Sequence, residues 1–256
     1  MTTAELLSTA DLWQQIRREA EAAVAADPAL NAAAVAILNH PDLGGALASL
    51  IGLRIGRTEA DRIRFTRTAS EAFAAEPTLV EAASRDLQAI VRRDPAITGL
   101  LPPLLYFKGY VALQAWRVSN WLWRGGRADL ARLMQSASSD QLQVSIDPSA
   151  EIGTSVFLDH GTGLIVGALV SIGDEATILQ NVTISRHQDE PRYAPKIGRG
   201  VLLSAGATVI GNVSIGDFAK IGADALVTAD VPSGCTAVGA PARLTNCAEA
   251  GMSFVR

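Results

Sequence analysis

The sequence predicts an α+β protein, an N-terminal α-helical domain followed by a parallel β-helix. Three observations carry this. Up to about residue 142, apolar residues recur at helical spacing in segments bounded by caps and prolines. From Val144 the period becomes six, with aliphatic residues at 146, 152, 158 and 164, then at 172, 178 and 184, then at 197, 203, 209, 215, 221 and 227. Glycine follows the aliphatic residue in Ile152-Gly153, Ile172-Gly173, Ile197-Gly198, Ile215-Gly216 and Ile221-Gly222. Each six-residue unit is a short strand plus a corner, its aliphatic side chain points into an interior without water, and three units close one turn. The glycines are expected to supply the small or positive-φ residues that corners need. The resulting domains are 1–142 (helical), 143–232 (coil) and 233–256 (C-terminal tail).

In the first half, LWQQIRREAEAAVAAD puts Leu12, Ile16, Ala20, Ala23 and Val24 at helical spacing, and Asp27-Pro28 ends it. LNAAAVAILNH runs to Pro41, LGGALASLIGLRIG follows, and a further helix spans about 61–75. TLVEAASRDLQAIVRRDP opens with Thr78 and Glu81 at capping-box spacing and closes at Asp94-Pro95. PLLYFKGYVALQAWRVSNWLWRGG reads as one long helix ending at Gly125-Gly126, and a last helix covers about 128–141. Trp116, Trp121 and Trp123 read as core or subunit contact. In the second half the six-residue phase breaks once on a large scale, in the polar stretch SRHQDEPRYAPK before Ile197, which must loop out of the coil.

Composition narrows the function. The formal charge of −4 comes with no basic cluster, so no nucleic-acid partner is expected. No apolar run reaches membrane-span length, since LPPLLYFKGY meets Lys108 at once, and the N-terminus has early acids and no apolar signal core. Cys235 and Cys247 fit no metal or redox spacing and read as reduced thiols, which together predict a cytoplasmic protein without a metal.

Three histidines remain as candidates for chemistry. His40 precedes Pro41 at a helix end and reads as structural; His187 sits in the excursion. His160, in FLDHGTG, follows the inward Leu158 and Asp159 and should project from the outer wall. On the residues alone it reads first as a satisfied surface or interface histidine.

The stretches RDPA (93–96), PLLYFKGY (103–110), ALQAWRVSNWLW (112–123), LDHGTGLIVG (158–167), ILQNVT (178–183), PKIGRGV (195–201), SAGATVIGN (204–212), AKIGADALV (219–227) and VGAPARL (238–244) make the chain resemble bacterial serine O-acetyltransferases over nearly its whole length. The resemblance implies a left-handed coil and acetyl-CoA as co-substrate. It makes His160 the general base that takes the serine hydroxyl proton during attack on the thioester, a role that contributes roughly 10²–10⁴-fold. It further implies that Asp94, Pro95 and Asp159 bind the acceptor and that CoA lies along Ala205, Gly206, Lys220, Ala223 and Arg243. Lys196 is a further candidate for phosphate. A trimer, or trimers paired into a hexamer, is expected.

Three departures from the family bear on the acceptor. The family reads Asp-Ile-His-Pro where this chain has Ser145-Ile146-Asp147-Pro148. Asp147, two residues on and so on the same strand face, is expected to orient the imidazole instead. The family's Arg-His-Pro-Lys is Tyr193-Ala194-Pro195-Lys196 here, so Arg192 is the expected partner of the substrate carboxylate, with Arg186 or His187 as alternatives. The tail ends GMSFVR without the isoleucine through which family members dock into cysteine synthase, so no such docking is expected. These changes leave open a different hydroxy-amino acid as acceptor, or an inactive relative serving as an assembly partner. A zinc enzyme of the carbonic-anhydrase type also uses such a coil, but needs three histidine ligands including a close pair.

Overall fold

The computed structural model describes residues 6–187 and 192–247. Among the described residues, eight α-helices precede fifteen short strands: α1 (Thr9–Ala26), α2 (Asn31–Leu38), α3 (Leu43–Ile55), α4 (Glu59–Ala75), α5 (Thr78–Arg93), α6 (Leu101–Tyr106), α7 (Lys108–Arg124) and α8 (Ala128–Leu142). Local chemistry sets several starts. Ser8 accepts from the Asp11 amide at α1, Asp42 accepts from the Gly45 amide at α3, and Thr58 with Asp61 forms a full capping box at α4. The box expected at Thr78 is not formed, because Thr78 already lies inside α5 and the preceding Pro77 has no side chain able to cap. The long helix expected from Pro103 is two, since Phe107 takes an extended conformation (φ −84°, ψ 102°) and breaks the run between α6 and α7.

The strands wind a parallel solenoid. Its turns are β1 (Val144–Ile146), β2 (Glu151–Ile152) and β3 (Phe157–Leu158); β4 (Leu164–Val166), β5 (Ser171–Ile172) and β6 (Thr177–Ile178); β7 (Thr183–Ser185), β8 (Lys196–Ile197) and β9 (Leu202–Leu203); and β10 (Thr208–Ile210), β11 (Ser214–Ile215) and β12 (Lys220–Ile221). A last partial turn holds β13 (Leu226–Val227), β14 (Thr236–Val238) and β15 (Arg243–Thr245). Face I stacks β1-β4-β7-β10-β13, face II stacks β2-β5-β8-β11, and face III stacks β3-β6-β9-β12-β14 with β15 added antiparallel. Inside, Ile152, Ile172, Ile197 and Ile215 fall in register on face II, and Leu158, Ile178, Leu203 and Ile221 on face III. The strands continue past residue 232, where the sequence predicts the coil to end, because β14 pairs with β12.

One expectation about the repeat needs correction, and another is met in only one of its two forms. Ile146 pairs with Val166, not Leu164, so the phase slips between 158 and 166. The glycines after the aliphatic residues do not carry the positive φ. That conformation belongs to Ser155, Glu175, Asn181, Phe218 and Asp224, among others. What those glycines provide is close stacking: a Cβ on Gly173 would sit 2.8 Å from the Arg199 amide nitrogen of the next turn.

The helical domain is fixed to the first turn by side-chain-to-backbone bonds. From α7, Trp116 Nε1 donates to the Asp147 carbonyl (3.1 Å), Arg117 Nη2 to the Gly153 carbonyl (2.8 Å), and Asn120 Nδ2 to the Pro148 and Ala150 carbonyls (2.9 and 3.1 Å). The fully buried Asp86 of α5 accepts from the Val156 amide through Oδ1 (3.0 Å) and from Arg117 and Gln114 through Oδ2. Above β1, α8 closes that end of the stack, with Ser138 Oγ donating to the Val144 carbonyl (3.0 Å).

Tyr110 of α7 is buried and donates its hydroxyl to the Ala83 carbonyl of α5 (3.1 Å). Burial pushes the phenol well above its ordinary range, and the Asp86 carboxylate adds to this while Arg117 opposes it. The unfolded chain's tyrosine ionises near pH 10, so the unfolded state loses that proton first and the stability contributed by neutral Tyr110 falls as pH rises beyond it. Urea midpoints taken from neutral pH into the alkaline range are expected to fall less steeply in Tyr110→Phe than in the unmodified chain.

Candidate active site

The corner joining β3 to β4 is enlarged. Eight positions separate Leu158 from its successor Val166, where six separate Ile178 from Ile184 and Leu203 from Val209. The extra residues lie in Asp159-His160-Gly161-Thr162-Gly163, where His160, Gly161 and Gly163 all have positive φ (57°, 72° and 74°). The corner is anchored at both ends. The Asp159 amide donates to the Ile178 carbonyl (2.8 Å) and the Gly163 amide to the Gln143 carbonyl (2.8 Å). Between these anchors His160 stands clear of the wall, its side chain 72% exposed, with Nε2 3.7 Å from Asp159 Oδ1. That separation suits an ion pair with a protonated imidazole and is too long for a hydrogen bond.

The edge between faces III and I continues below this corner. The Asn181 amide donates to the Thr162 carbonyl (2.7 Å), the Gly206 amide to Gln180 (3.0 Å) and the Asp224 amide to Ala205 (3.0 Å), so His160, Gln180-Asn181, Ala205-Gly206 and Ala223-Asp224 form one column, with roughly 4.8 Å between turns. At Gly206 φ is +74° and the Asp224 carboxylate occupies the space a side chain would take; Asn181 and Asp224, at the same position of the neighbouring turns, hold positive φ with side chains (58° and 55°). Ala205 and Ala223, half-buried and exposed, carry no side chain beyond Cβ on the outside of this edge. Lys220 is exposed on β12 of face III, and Arg243 is exposed on β15 opposite Val238, at the far end of the column. Lys196 lies on β8 of face II, away from this edge.

Asp94 ends α5, where its Oδ1 accepts from the Ala96 amide (2.9 Å), and Pro95 beside it is exposed. The neighbouring Arg93 reaches β6, donating to the Ala176 carbonyl and Thr177 Oγ1 (3.2 Å each). Burial lowers the Arg93 guanidinium's pKa, opposed by the nearby Glu175 carboxylate. Arg93 thus holds the Asp94 end of α5 against face III, whose strand β3 leads directly into Asp159.

Two of the predicted site residues are not brought to His160 within the protomer. Asp147 is at the opposite end of β1, on the edge between faces I and II, where its Oδ1 accepts from the Ser149 amide (2.9 Å) and hydroxyl (2.6 Å). Alternation along a strand fails there because β1 ends at Ile146 and the chain turns. Ser145 is nearer the corner, opposite Ile165, and its Oγ accepts from Gln135 Nε2 of α8 (3.4 Å). Arg192 is exposed in the excursion, which leaves face I at Ser185 and rejoins at Lys196 on face II, again along the edge between I and II. The tail GMSFVR lies outside the described residues.

The cysteines also differ from expectation. Cys235 and Cys247 form a disulfide, because the turn from β14 to β15 doubles the chain back and sets their Cα atoms 4.0 Å apart. Among the described residues no group of three His, Cys, Asp or Glu side chains could hold a metal ion, and no helix is long and apolar enough to cross a membrane. The Asp86–Arg117 pair was not anticipated. Its signal is a carboxylate and a guanidinium each lying on the apolar stripe of its helix.

A helical domain seated on a hexapeptide-repeat solenoid, with an exposed histidine at the head of one edge and small residues at Ala205, Gly206 and Ala223 below it, defines a hexapeptide acyltransferase. The family model "Serine acetyltransferase, N-terminal" matches residues 12–115. The chain is 40% identical over 91% of its length to the serine acetyltransferase of Salmonella typhimurium, covering 86% of that protein. A solved serine acetyltransferase in complex with CoA superposes with a TM-score of 0.89 at 38% identity, over 93% of this chain and 100% of that one. The serine acetyltransferase of Vibrio cholerae gives 0.90 at 39% identity, over 95% of each. The chain belongs to the serine acetyltransferase family.

Proposed function

We propose that the protein transfers the acetyl group of acetyl-CoA to the hydroxyl of L-serine, with His160 as general base. The observation that carries this is the shared edge, on which the exposed imidazole tops a column of stacked corners, small at Ala205, Gly206 and Ala223, leading down to Lys220 and Arg243. Acetyl-CoA supplies an acyl thioester, and its phosphates suit the two cations at the lower end. Ala205, Gly206 and Ala223 let the chain of the ligand lie against backbone. At the top, His160 takes the hydroxyl proton as the serine oxygen bonds to the thioester carbonyl carbon, then delivers that proton to the departing sulfur as the carbon–sulfur bond breaks. Asp159, 3.7 Å from the imidazole, stands within ion-pair distance of the imidazolium that forms in between. Asp94 and Asp159 offer carboxylates to the acceptor's ammonium group.

Asp147 as imidazole orienter and Arg192 as carboxylate partner would have to act from the neighbouring edge. A trimer supplies that geometry, because a second protomer packed on face I sets its own edge beside His160. Ile165 and Leu169, 48% and 52% exposed, supply apolar surface for such packing. A cytoplasmic location fits a CoA-dependent enzyme of this kind. A second reading, another hydroxy-amino acid as acceptor, is favoured by Ser145 at the family's aspartate position and by the rebuilt excursion. Thiol release from acetyl-CoA with L-serine, compared with a panel of hydroxy-amino acids, decides between them. Brisk release with serine supports the first reading, release only with another acceptor supports the second, and silence with all of them refutes both.

The column also predicts a separable effect on the co-substrate. Lys220→Ala removes one charge-assisted contact, worth about 1.5–3 kcal/mol, and should weaken CoA binding by calorimetry about tenfold or more. Turnover at saturating acetyl-CoA should stay unchanged, and the difference should narrow as salt is raised.

A further inference from the structure

We infer that Gly109 is a positioning residue for the Asp159–His160 corner; this rests on the proposed role of His160. Gly109 is the second residue of α7, and the start of that helix lies directly against the corner. A Cβ on Gly109 would collide with the Leu158 carbonyl oxygen and come within 3.0 Å of Leu158 Cβ and 3.1 Å of its carbonyl carbon. From the other side, a Cβ on Gly161 would lie 3.3 Å from Gly109 Cα. Two glycines thus face each other across the gap, one in the helix and one beside the imidazole.

Which partner yields to added bulk follows from what holds each. Helix α7 is tied by Trp116, Arg117 and Asn120 to the carbonyls of Asp147, Gly153, Pro148 and Ala150, and Arg117 is tied through Asp86 to the Val156 amide. It cannot retreat without breaking several of these bonds. The corner is held at its two ends, carries three positive-φ residues, and has solvent on its outer side. A side chain at 109 therefore presses on the Leu158 carbonyl at the end of β3, and the displacement is taken up in the corner that follows it, at Asp159 and His160, with the helix left in place. Displacing a reacting group by about 1 Å can cost 10²-fold in rate. The lower corners at Ala205 and Ala223 belong to later turns, which α7 does not touch in this way, so co-substrate binding is spared.

The test is Gly109→Ala, compared with Gly44→Ala in α3, where the new Cβ would meet neighbours only at ordinary contact distances of 3.4 Å and beyond. Expected for Gly109→Ala is a kcat reduced about 10²-fold with CoA affinity and acetyl-CoA KM unchanged; Gly44→Ala should match the unmodified enzyme. A folded Gly109→Ala protein with undiminished kcat overturns the proposal, and so does a loss of CoA affinity in parallel with kcat, which would mean general loosening. If Gly109→Ala does not fold, Gly161→Ala narrows the same gap from the coil side: retained kcat there overturns the proposal, and a loss supports it only if it exceeds that of Gly163→Ala, which strains the same corner through a like φ (+74°) with Asn181, not Gly109, as its nearest neighbour. His160→Ala run alongside separates the two failures. Full turnover there sinks the general-base role itself, whereas its loss, with Gly109→Ala at full kcat, sinks the positioning role alone.

Discussion

His160→Ala is expected to lower serine-dependent thiol release by about 10²–10⁴-fold, the range spanned by loss of a general base. The imidazole is 72% exposed and is not part of the solenoid's packing, so its removal should leave thermal unfolding where it was. CoA should bind the variant as before, because Ala205, Gly206, Lys220 and Ala223 lie on later turns of the coil. The loss should appear in kcat with little change in acetyl-CoA KM, as for a group that acts only while the proton moves. Retained turnover would remove His160 from the mechanism. Loss of CoA affinity together with rate would mean that the corner shapes the binding column and is not simply the proton acceptor.

Arg117→Met should have the largest effect on stability. The Asp86 carboxylate is fully buried, and Arg117, itself 5% exposed, donates to it from Nε (3.2 Å) and Nη2 (2.7 Å) while also holding the Gly153 carbonyl. Methionine fills much of the same volume but leaves a buried carboxylate without its counter-charge. Breaking one side of such a pair typically costs about 3–5 kcal/mol. Urea denaturation should therefore show a lower midpoint with a similar slope. Asp86→Asn in the same background should recover part of the loss, because it removes the uncompensated charge. Arg117→Lys should fall short of full stability, since a single ammonium cannot serve two carboxylate contacts and a carbonyl in the same plane.

The six-residue period was legible because each turn repeats the same inward position, and no helix keeps that phase. The slip at His160 was hidden by LIV at 164–166, where Leu164 and Val166 both point inward and either can be counted as the next repeat. The Asp159–His160 pair could be placed on the outer wall because Leu158 fixes the register immediately before it. What faces His160 could not be read. Asp147 is equivalent to Ser145 only if the strand continues, and β1 ends at Ile146. Gly109 and Gly161 are 52 residues apart, and Asp86 and Arg117 are 31 apart, so neither contact has a local period to reveal it. The break at Phe107 lacked a proline or glycine of its own. The disulfide depended on a turn between β14 and β15 that lies beyond the last clear repeat.

The finish of the solenoid bears on solubility. A stack of identical turns has no inherent last member, and each exposed final turn presents open strand edges to which another copy could add. Here α8 lies over the first turn, and at the other end the chain reverses, so that β15 runs against β14 and Cys235 is bonded to Cys247. A reversed strand is a poor template for a further parallel turn. The hairpin that carries Arg243 therefore also acts as a stop, and a protein shortened to end before it would be expected to grow end to end into fibres.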